Sequence, residues 1–241
     1  MAGILGSLEE QLRRFDSPEK LASVIDHTLL APNAGLEDAL RVVEETVKYG
    51  FHCAMLTPYH VVRTARTAED LGVRLCTVIG FPGGFQAGEA KRAEIQAVAG
   101  LVEEVDIVAN IQAAKAGDQA LIEGELSGLV EEAREAGVKT VKVIVEAPLL
   151  DDDTLALLVK SVAEAGADYA KTSTGVYSKG GDVFTVLRVA QLAKPLGLKV
   201  KAAGGIRNAV DALLALASGA DRLGSSSSVK IIESYKVIVG E

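Results

Sequence analysis

The sequence predicts an α/β fold, a closed (β/α)8 or TIM barrel, from two observations. Seven helical patterns end in glycine, and an apolar stretch of strand character begins within a few residues of each one. Glycine is favoured just past a helix end because it adopts left-handed backbone readily. A further apolar stretch precedes all seven junctions, so eight strands alternate with helices, which is the arrangement that closes this barrel. The seven glycines are Gly50, Gly72, Gly100, Gly137, Gly166, Gly197 and Gly219.

The predicted strands are residues 23–30, 52–57, 74–81, 104–111, 140–147, 169–174, 199–203 and 222–224. Several helices between them carry start signals. Pro58 suits a first helical position, and Asn33, Asp151 and Asn208 are candidate N-caps. The helix after the first strand is expected to bury one apolar face. That face consists of Leu36, Leu40, Val43 and Val47.

The whole chain, residues 1–241, is predicted to form one barrel domain, because no linker or low-complexity segment interrupts the alternation. The longest insertion lies between Ile111 and Gly137, where we expect one extra turn and a helix. Residues 1–20 predict an additional amphipathic helix that covers the N-terminal face of the barrel or makes a subunit contact. Its apolar residues are Leu5, Leu8, Leu12 and Phe15.

Composition and charge exclude several classes of partner. The net charge of −8 and the isoelectric point near 5.1 argue against an extended nucleic-acid surface. No apolar run approaches the ~20 residues that span a bilayer, and the N-terminus lacks the apolar core of a signal peptide. Cys53 and Cys76 lie in apolar runs without metal-ligand spacing, which predicts two buried thiols in a reducing compartment. We therefore expect a cytoplasmic protein without membrane or nucleic-acid partners.

One predicted strand carries a lysine and leads into hydroxyl residues and a glycine. Lys171 is followed by Thr172, two further hydroxyl residues and Gly175. Burial would lower the pKa of the lysine amine by up to ~3–5 units, which yields the neutral amine that a nucleophile requires. Gly175 allows the backbone to approach a ligand closely. A strand-end lysine whose amine reaches solvent is the alternative.

Charged residues also occur within other strands that are otherwise apolar. Asp26 lies in the first strand, Asp106 in the fourth, Lys142 in the fifth and Lys201 in the seventh. Charges are rarely buried unless they are paired, and barrel enzymes assemble their chemistry at the C-terminal ends of the strands. The sequence therefore predicts one shared interior cluster that includes Lys171. Separate structural ion pairs are the alternative.

Two loops predict a phosphate site. Gly204 and Gly205 follow the seventh strand, and a run of four serines, residues 225–228, follows the eighth. Barrel enzymes commonly bind phosphate between these two loops, with backbone N–H groups and a helix N-terminus. Glycine permits close approach, and Ser226 and Ser227 add hydroxyl donors.

In their order along the chain, these motifs resemble those of the deoxyribose-phosphate aldolases, a family of class I (Schiff-base) aldolases. The resemblance covers about residues 20 to 230. The motifs read Asp26-His27-Thr28, Val78-Ile79-Gly80-Phe81-Pro82, Glu104-Val105-Asp106, Lys142-Val143-Ile144, Lys171-Thr172-Ser173-Thr174-Gly175, Lys201-Ala202-Ala203-Gly204-Gly205-Ile206-Arg207 and Arg222-Leu223-Gly224.

The resemblance implies reversible cleavage of 2-deoxy-D-ribose 5-phosphate into acetaldehyde and D-glyceraldehyde 3-phosphate, in deoxyribose phosphate catabolism. Lys171 matches the Schiff-base lysine, Lys201 the second lysine that helps keep it neutral, and Asp106 the acid/base carboxylate. Asp26 and Lys142 would orient Lys201. The positions matched to substrate and phosphate binding are Thr172, Gly175, Gly204, Gly205, Ser226 and Ser227.

The resemblance also bears on cofactors and assembly. No metal and no cofactor are expected, because the protonated imine serves as the electron sink. The partners implied are a small phosphosugar and aldehydes, and the expected assembly is a homodimer or homotetramer. A Schiff-base aldolase for another sugar phosphate is one alternative, which the combination of Lys171, Lys201 and Asp106 disfavours. A non-catalytic phosphosugar-binding barrel is the other alternative, and it predicts binding without imine formation.

Two positions depart from the family pattern. Some members carry a lysine directly after Thr-Gly, where this chain has Val176, so phosphate binding is expected to rest on backbone donors, on Lys179 or on Arg207. Some members end in a tail with a terminal tyrosine that assists proton transfer. The last tyrosine here is Tyr235, so no such step is assigned to this chain.

Overall fold

The computed structural model describes residues 2–240, with side chains from residue 8 onward, and its eight parallel strands close into a barrel. Each strand pairs with the next along the chain, and the eighth pairs with the first. The (β/α)8 fold is therefore confirmed. The strands are β1 (Ile25–Leu29), β2 (Cys53–Leu56), β3 (Leu75–Ile79), β4 (Glu104–Val108), β5 (Thr140–Ile144), β6 (Tyr169–Lys171), β7 (Lys199–Ala203) and β8 (Arg222–Ser225).

The helices surround the barrel, and none within residues 2–240 is both long enough and apolar enough to cross a membrane. The expected extra turn and helix before β5 are present as α6 and α7. In chain order the helices are α1 (Ala2–Arg14), α2 (Pro18–Ala22), α3 (Leu36–Tyr49), α4 (Pro58–Asp70), α5 (Gly88–Ala97), α6 (Ile111–Ala116), α7 (Gln119–Glu135), α8 (Asp152–Glu164), α9 (Val183–Ala193), α10 (Ala209–Ala217) and α11 (Ser228–Val239).

The backbone confirms the signals that predicted the helix ends. All seven helix-ending glycines have positive φ, between 66° and 106°. Pro58 opens α4 behind the N-cap Thr57, and the side chains of Asp151 and Asn208 accept N–H groups at the starts of α8 and α10. These local signals were sufficient because each is satisfied within a few residues of chain.

The predicted start and buried face of α3 were partly wrong. Its N-cap is Gly35 rather than Asn33, so the helix begins later than expected. Leu36 and Val47 are exposed. The helix buries Ala39, Val42, Val43 and Thr46 instead, a set that shares only Val43 with the prediction.

Three strands end three residues earlier than predicted, and two of the causes are visible. β4 stops at Val108 because Asn110 accepts the N–H of Ala113 and caps α6. β5 stops at Ile144, since Glu146 has a left-handed backbone (φ 45°) and leads into a short 3-10 turn. β6 ends at Lys171 itself. The functional loops therefore start closer to the barrel than the apolar runs suggested.

The N-terminal segment forms two helices rather than the single one predicted. Ser17 caps α2, which starts at Pro18, and this breaks the helical pattern after α1. Phe15 is buried, and its carbonyl accepts the hydroxyl of Tyr235 from α11. Leu8 and Leu12 pack against the core, whereas the side chain of Leu5 lies outside the described residues. α1 packs against α10.

The two cysteines were predicted as free thiols, and this was wrong. Cys53 and Cys76 are buried but form a disulfide between β2 and β3. These strands are neighbours, and the two Cα atoms lie 6.2 Å apart, within the usual range for a disulfide. A pairing across 23 residues of chain depends on strand order, which residue spacing does not reveal.

Alternation along the strands separates the charged residues from the apolar layer. Asp106, Lys142 and Lys201 point into the barrel, where their side chains contact one another or a shared carboxylate. Their strand neighbours pack into the apolar clusters between the strands and the helices. These neighbours are Val105, Ile107, Val141, Val143, Val200 and Ala202.

Candidate active site

Three of the residues predicted to be catalytic meet at one carboxylate oxygen. The Nζ atoms of Lys171 and Lys201 lie 2.8 Å and 2.6 Å from Oδ2 of Asp106. All three side chains are buried. The shared oxygen can therefore pass a proton between two amines without a large movement of any side chain.

The two predicted supporting residues surround this group. Lys201 Nζ lies 2.5 Å from Asp26 Oδ2, so its ammonium is held between two carboxylates. Lys142 Nζ lies 3.2 Å from the other oxygen of Asp106, Oδ1. The structure thus brings together all five charged residues for which the sequence predicted a shared site.

Two further charged residues complete the network, and the sequence alone did not indicate that they belong to the site. Glu104 contacts Lys142 through its carboxylate, and Arg222 Nη1 lies 2.9 Å from Asp26 Oδ1 and 3.5 Å from Glu104 Oε2. Glu104 stands two residues before Asp106, so strand alternation places both on the inner face. We call the following seven residues the interior cluster: Asp26, Glu104, Asp106, Lys142, Lys171, Lys201 and Arg222.

Strand register explains why these side chains meet. Asp106 is paired with Lys142 across β4 and β5, and Lys171 with Lys201 across β6 and β7. The absence of a side chain at Gly224 makes room for the second lysine, because a Cβ there would lie 3.1 Å from Lys201 Cε. The partners thus come from different strands, and only the closed barrel sets their separation.

The environment of Lys171 lowers the pKa of its amine. Burial is the main cause that lowers its pKa, and the positive charges of Lys201 and Lys142 lower it further. The carboxylate of Asp106 acts in the opposite direction, and the resulting pKa is about 8. About one-tenth of the amine is therefore unprotonated at pH 7, far more than for an ordinary lysine.

The carboxylates of the cluster stay charged. Burial alone would raise the pKa of Asp106, but Lys142, Lys171 and Lys201 together hold it well below its usual range. Burial likewise opposes ionisation of Glu104, but the hydrogen bond from His52 and the charge of Lys142 lower its pKa to about 2. With Lys171 neutral, the three carboxylates of the cluster face three cations, so deprotonation of this one amine balances the charge.

Two groups of side chains contain atoms that ligate metals in other proteins. Cys53, Cys76 and Glu104 form one group, and Asp26, His52 and Glu104 the other, each with its donor atoms within 4.8 Å of one another. The two sulfur atoms are joined in the disulfide, and both carboxylates already contact Lys or Arg side chains. The protein itself supplies positive charge here, so this donor set does not favour a metal ion.

A cavity of about 370 Å³ opens above the cluster at the C-terminal ends of the strands. Lys171 lines it from below, and the loops after β6, β7 and β8 form its wall. α11 begins directly after Ser227, so a helix N-terminus adjoins the cavity. Five of the six residues predicted to bind substrate or phosphate line it: Gly175, Gly204, Gly205, Ser226 and Ser227.

Thr172, the sixth, lies apart from the cavity. Its hydroxyl donates to the carbonyl of Ala203 at 3.3 Å and accepts the Ala203 N–H at 3.1 Å. The side chain is fully buried between β6 and β7. This geometry assigns Thr172 to the junction of the two strands and not to substrate contact.

The two cations considered as replacements for the family's phosphate-site lysine line different cavities. Arg207 lines the cavity that contains Lys171. Lys179 lines a neighbouring cavity, and its aliphatic carbons lie 3.5 Å from the position of a Cβ on Gly205. Arg207 is therefore the better placed of the two for an anion above Lys171.

The chain is similar to known proteins over almost its full length. It is 53% identical to a deoxyribose-phosphate aldolase of Aeropyrum pernix, over 96% of this chain and 97% of that protein. It is 39% identical to a deoxyribose-phosphate aldolase of Caldanaerobacter subterraneus, over 93% and 97% of the two chains. No protein-family model matches the chain.

A solved structure shows the same similarity in three dimensions. The structure described as a unique tetramer of deoxyribose phosphate aldolase from Aeropyrum pernix superposes with a TM-score of 0.91. Sequence identity in that comparison is 51%, and 96% of this chain and 97% of the other are covered.

The pKa of Lys171 predicts how the reactivity of its amine depends on pH. Only the neutral amine attacks an aldehyde, so labelling of Lys171 by acetaldehyde and cyanoborohydride should rise about tenfold per pH unit below pH 8 and level off above it. Mass spectrometry of the labelled peptide across pH 5.5–10 would measure this.

Two variants should move that profile in opposite directions. Asp106→Asn removes the charge that raises the pKa of Lys171, so the increase in labelling with pH should occur at lower pH. Lys201→Met removes a charge that lowers this pKa, so the increase in labelling should occur at higher pH. Profiles that coincide with that of the unaltered protein would contradict the electrostatic coupling.

Proposed function

The chain belongs to the deoxyribose-phosphate aldolase family, and we propose that it cleaves 2-deoxy-D-ribose 5-phosphate reversibly through an imine on Lys171. The observation that carries this proposal is a buried amine with a pKa of about 8 at the base of a cavity, in contact with a carboxylate that also contacts a second lysine. A neutral amine is the form that adds to a carbonyl.

The first stage is imine formation. The neutral amine of Lys171 adds to C1 of the open-chain sugar, and the carbinolamine loses its hydroxyl group as water. Lys201 and Asp106 are suited to move the protons, because Lys201 donates and Asp106 accepts at contacts of 2.6–2.8 Å. The positive charge that builds on the imine nitrogen replaces the charge that Lys171 lacked, and Asp106 stabilises it.

The second stage breaks the C2–C3 bond. A base removes the proton of the C3 hydroxyl, and the electron pair of the C2–C3 bond moves onto the iminium to form an enamine. Glyceraldehyde 3-phosphate leaves, C2 is protonated, and water releases acetaldehyde from Lys171. We propose Asp106 with a water molecule as the group that transfers these protons, since its carboxylate adjoins both lysines.

The substrate phosphate is proposed to lie between the glycine loop after β7 and the N-terminus of α11. Gly204, Gly205, Ser226 and Ser227 line the cavity that also contains Lys171. Helix N-termini and glycine backbone attract phosphate through oriented N–H groups. This placement fixes one end of the sugar while C1 reaches Lys171.

We propose the cytoplasm as the compartment, with a role in deoxyribose phosphate catabolism. A phosphorylated sugar carries charge that the hydrocarbon core of a bilayer excludes, so the enzyme should work where its substrate is made. The Cys53–Cys76 disulfide does not decide the compartment, because intracellular proteins of hyperthermophiles also retain disulfides.

Reductive trapping tests the imine directly. After incubation with 2-deoxyribose 5-phosphate or acetaldehyde and borohydride, intact-mass analysis should show a two-carbon adduct. Lys171→Ala should lose the adduct and lower kcat by at least about 10⁴-fold, because the covalent route is removed. Lys160→Ala, an exposed lysine on α8, is the matched control and should behave as the unaltered protein. Binding without an adduct would favour a non-catalytic phosphosugar-binding barrel.

Arg207 is expected to supply the positive charge of the phosphate site. Arg207→Gln should raise KM for 2-deoxyribose 5-phosphate about tenfold, the loss of one charge-assisted hydrogen bond, with little change in kcat. The rate with unphosphorylated 2-deoxyribose should stay the same. Lys179→Gln is the control because Lys179 lines the neighbouring cavity. A larger effect at Lys179 than at Arg207 would overturn this assignment.

We propose a homodimer or homotetramer in which α1 contributes to the contact between subunits. A relative that is 51% identical forms a tetramer, and α1 lies on the outside of the barrel against α10. Removal of residues 1–14 leaves the buried Phe15 in place, and sedimentation should then show a smaller assembly. An unchanged assembly would exclude α1 from the contact.

A further inference from the structure

Glu146 is a buried carboxylate that the chemistry above does not use. Only 1% of its surface is exposed, and among the side chains that the structure describes, none with a positive charge lies within ion-pair distance. It is also the one non-glycine residue with positive φ in the described chain. Buried, unpaired charges and left-handed backbone at non-glycine residues are both unfavourable, and such features persist mainly at functional sites.

Two hydrogen bonds to one loop compensate the charge of Glu146. Its Oε2 accepts the backbone N–H of Thr174 at 3.0 Å, and its Oε1 accepts the hydroxyl of Ser178 at 2.7 Å. The carboxylate therefore holds both ends of residues 174–178, the loop that follows β6. The left-handed backbone ends the alternation of β5 at this residue, so the side chain reaches the loop and not the interior cluster.

This loop forms the wall of the cavity next to the proposed phosphate position. Gly175 packs so closely on the loop after β7 that a Cβ at this residue would lie 3.1 Å from Gly204 Cα. The N–H of Gly181 donates to the carbonyl of Gly204 at 2.8 Å, which joins the two loops further along. The position of the loop held by Glu146 is thus coupled to that of the glycine loop.

Val176 makes the position of residues 174–178 more important for phosphate binding. This residue lines the cavity where some family members have a lysine, so the loop contributes shape and backbone in place of a side-chain charge. Backbone donors bind phosphate only if the loop is held in place, because they have no side-chain freedom with which to adjust.

We propose that Glu146 is a positioning residue that determines selectivity for the phosphorylated sugar. It acts by holding residues 174–178 against the loop of Gly204 and Gly205, and it takes no part in imine chemistry at Lys171. The inference rests on the proposed function for its substrate, but its effect on anion binding can be measured without turnover.

The first experiment compares Glu146→Ala and Glu146→Gln with the unaltered enzyme. Glu146→Ala should raise KM for 2-deoxyribose 5-phosphate about tenfold, while kcat/KM for unphosphorylated 2-deoxyribose and the rate of acetaldehyde trapping on Lys171 stay within twofold. Glu146→Gln should keep most of the selectivity, because its amide oxygen still accepts the Thr174 N–H and its NH₂ group can donate to the Ser178 hydroxyl. Equal losses on both sugars, or no change on either, would overturn the proposal.

The second experiment separates this inference from the proposed activity. Calorimetric binding of glycerol 3-phosphate should be weakened at least fivefold in Glu146→Ala, and to a smaller degree in Ser178→Ala, which removes one of the two hydrogen bonds. Glu164→Gln, at an exposed glutamate of α8, is the matched control and should bind normally. Unchanged binding of glycerol 3-phosphate in both Glu146→Ala and Ser178→Ala would overturn the inference. A lack of cleavage by the unaltered protein would refute only the aldolase activity.

Discussion

The contacts of Asp106 with three lysines are the interaction on which the site depends. Its two oxygens hold Lys142, Lys171 and Lys201 within 3.2 Å, and all four side chains are buried. Without this carboxylate, three ammonium groups would repel one another in a medium that screens charge poorly. With it, the ammonium groups share one negative partner, and burial together with the charges of Lys201 and Lys142 lowers the pKa of Lys171, the amine at the cavity, to about 8.

The rest of the barrel makes this charged interior tolerable. Burial of a charge is unfavourable unless the charge has a partner. In the interior cluster, side chains from several strands supply these partners to one another. The apolar layer between the strands and the helices stabilises the fold by burial of apolar surface. The interior of the barrel can therefore hold charged residues that contribute little to stability. Within the interior cluster, Glu104 pairs with both Lys142 and Arg222, so the charges next to the proposed catalytic residues also have partners.

In our proposal, the two ends of the substrate are recognised by different physical means. At the carbonyl end, side chains of opposite charge set the protonation of an amine. At the phosphate end, glycine backbone, serine residues and a helix N-terminus line the cavity. The first kind of recognition depends on strand register, and the second on how loops are held at the rim. Glu146 belongs to the second, although it follows a strand that also carries Lys142.

The sequence by itself determined the barrel, the glycines that end its helices and the five charged residues of the predicted site, because periodicity and local caps act over a few residues. It missed what depends on neighbours distant in the chain. The Cys53–Cys76 disulfide, the partners of Arg222, the withdrawal of Thr172 from the cavity and the loop contacts of Glu146 all required the closed barrel. Tertiary structure decided these features because strand register and loop packing set the distances between side chains, and a residue pattern contains no distances.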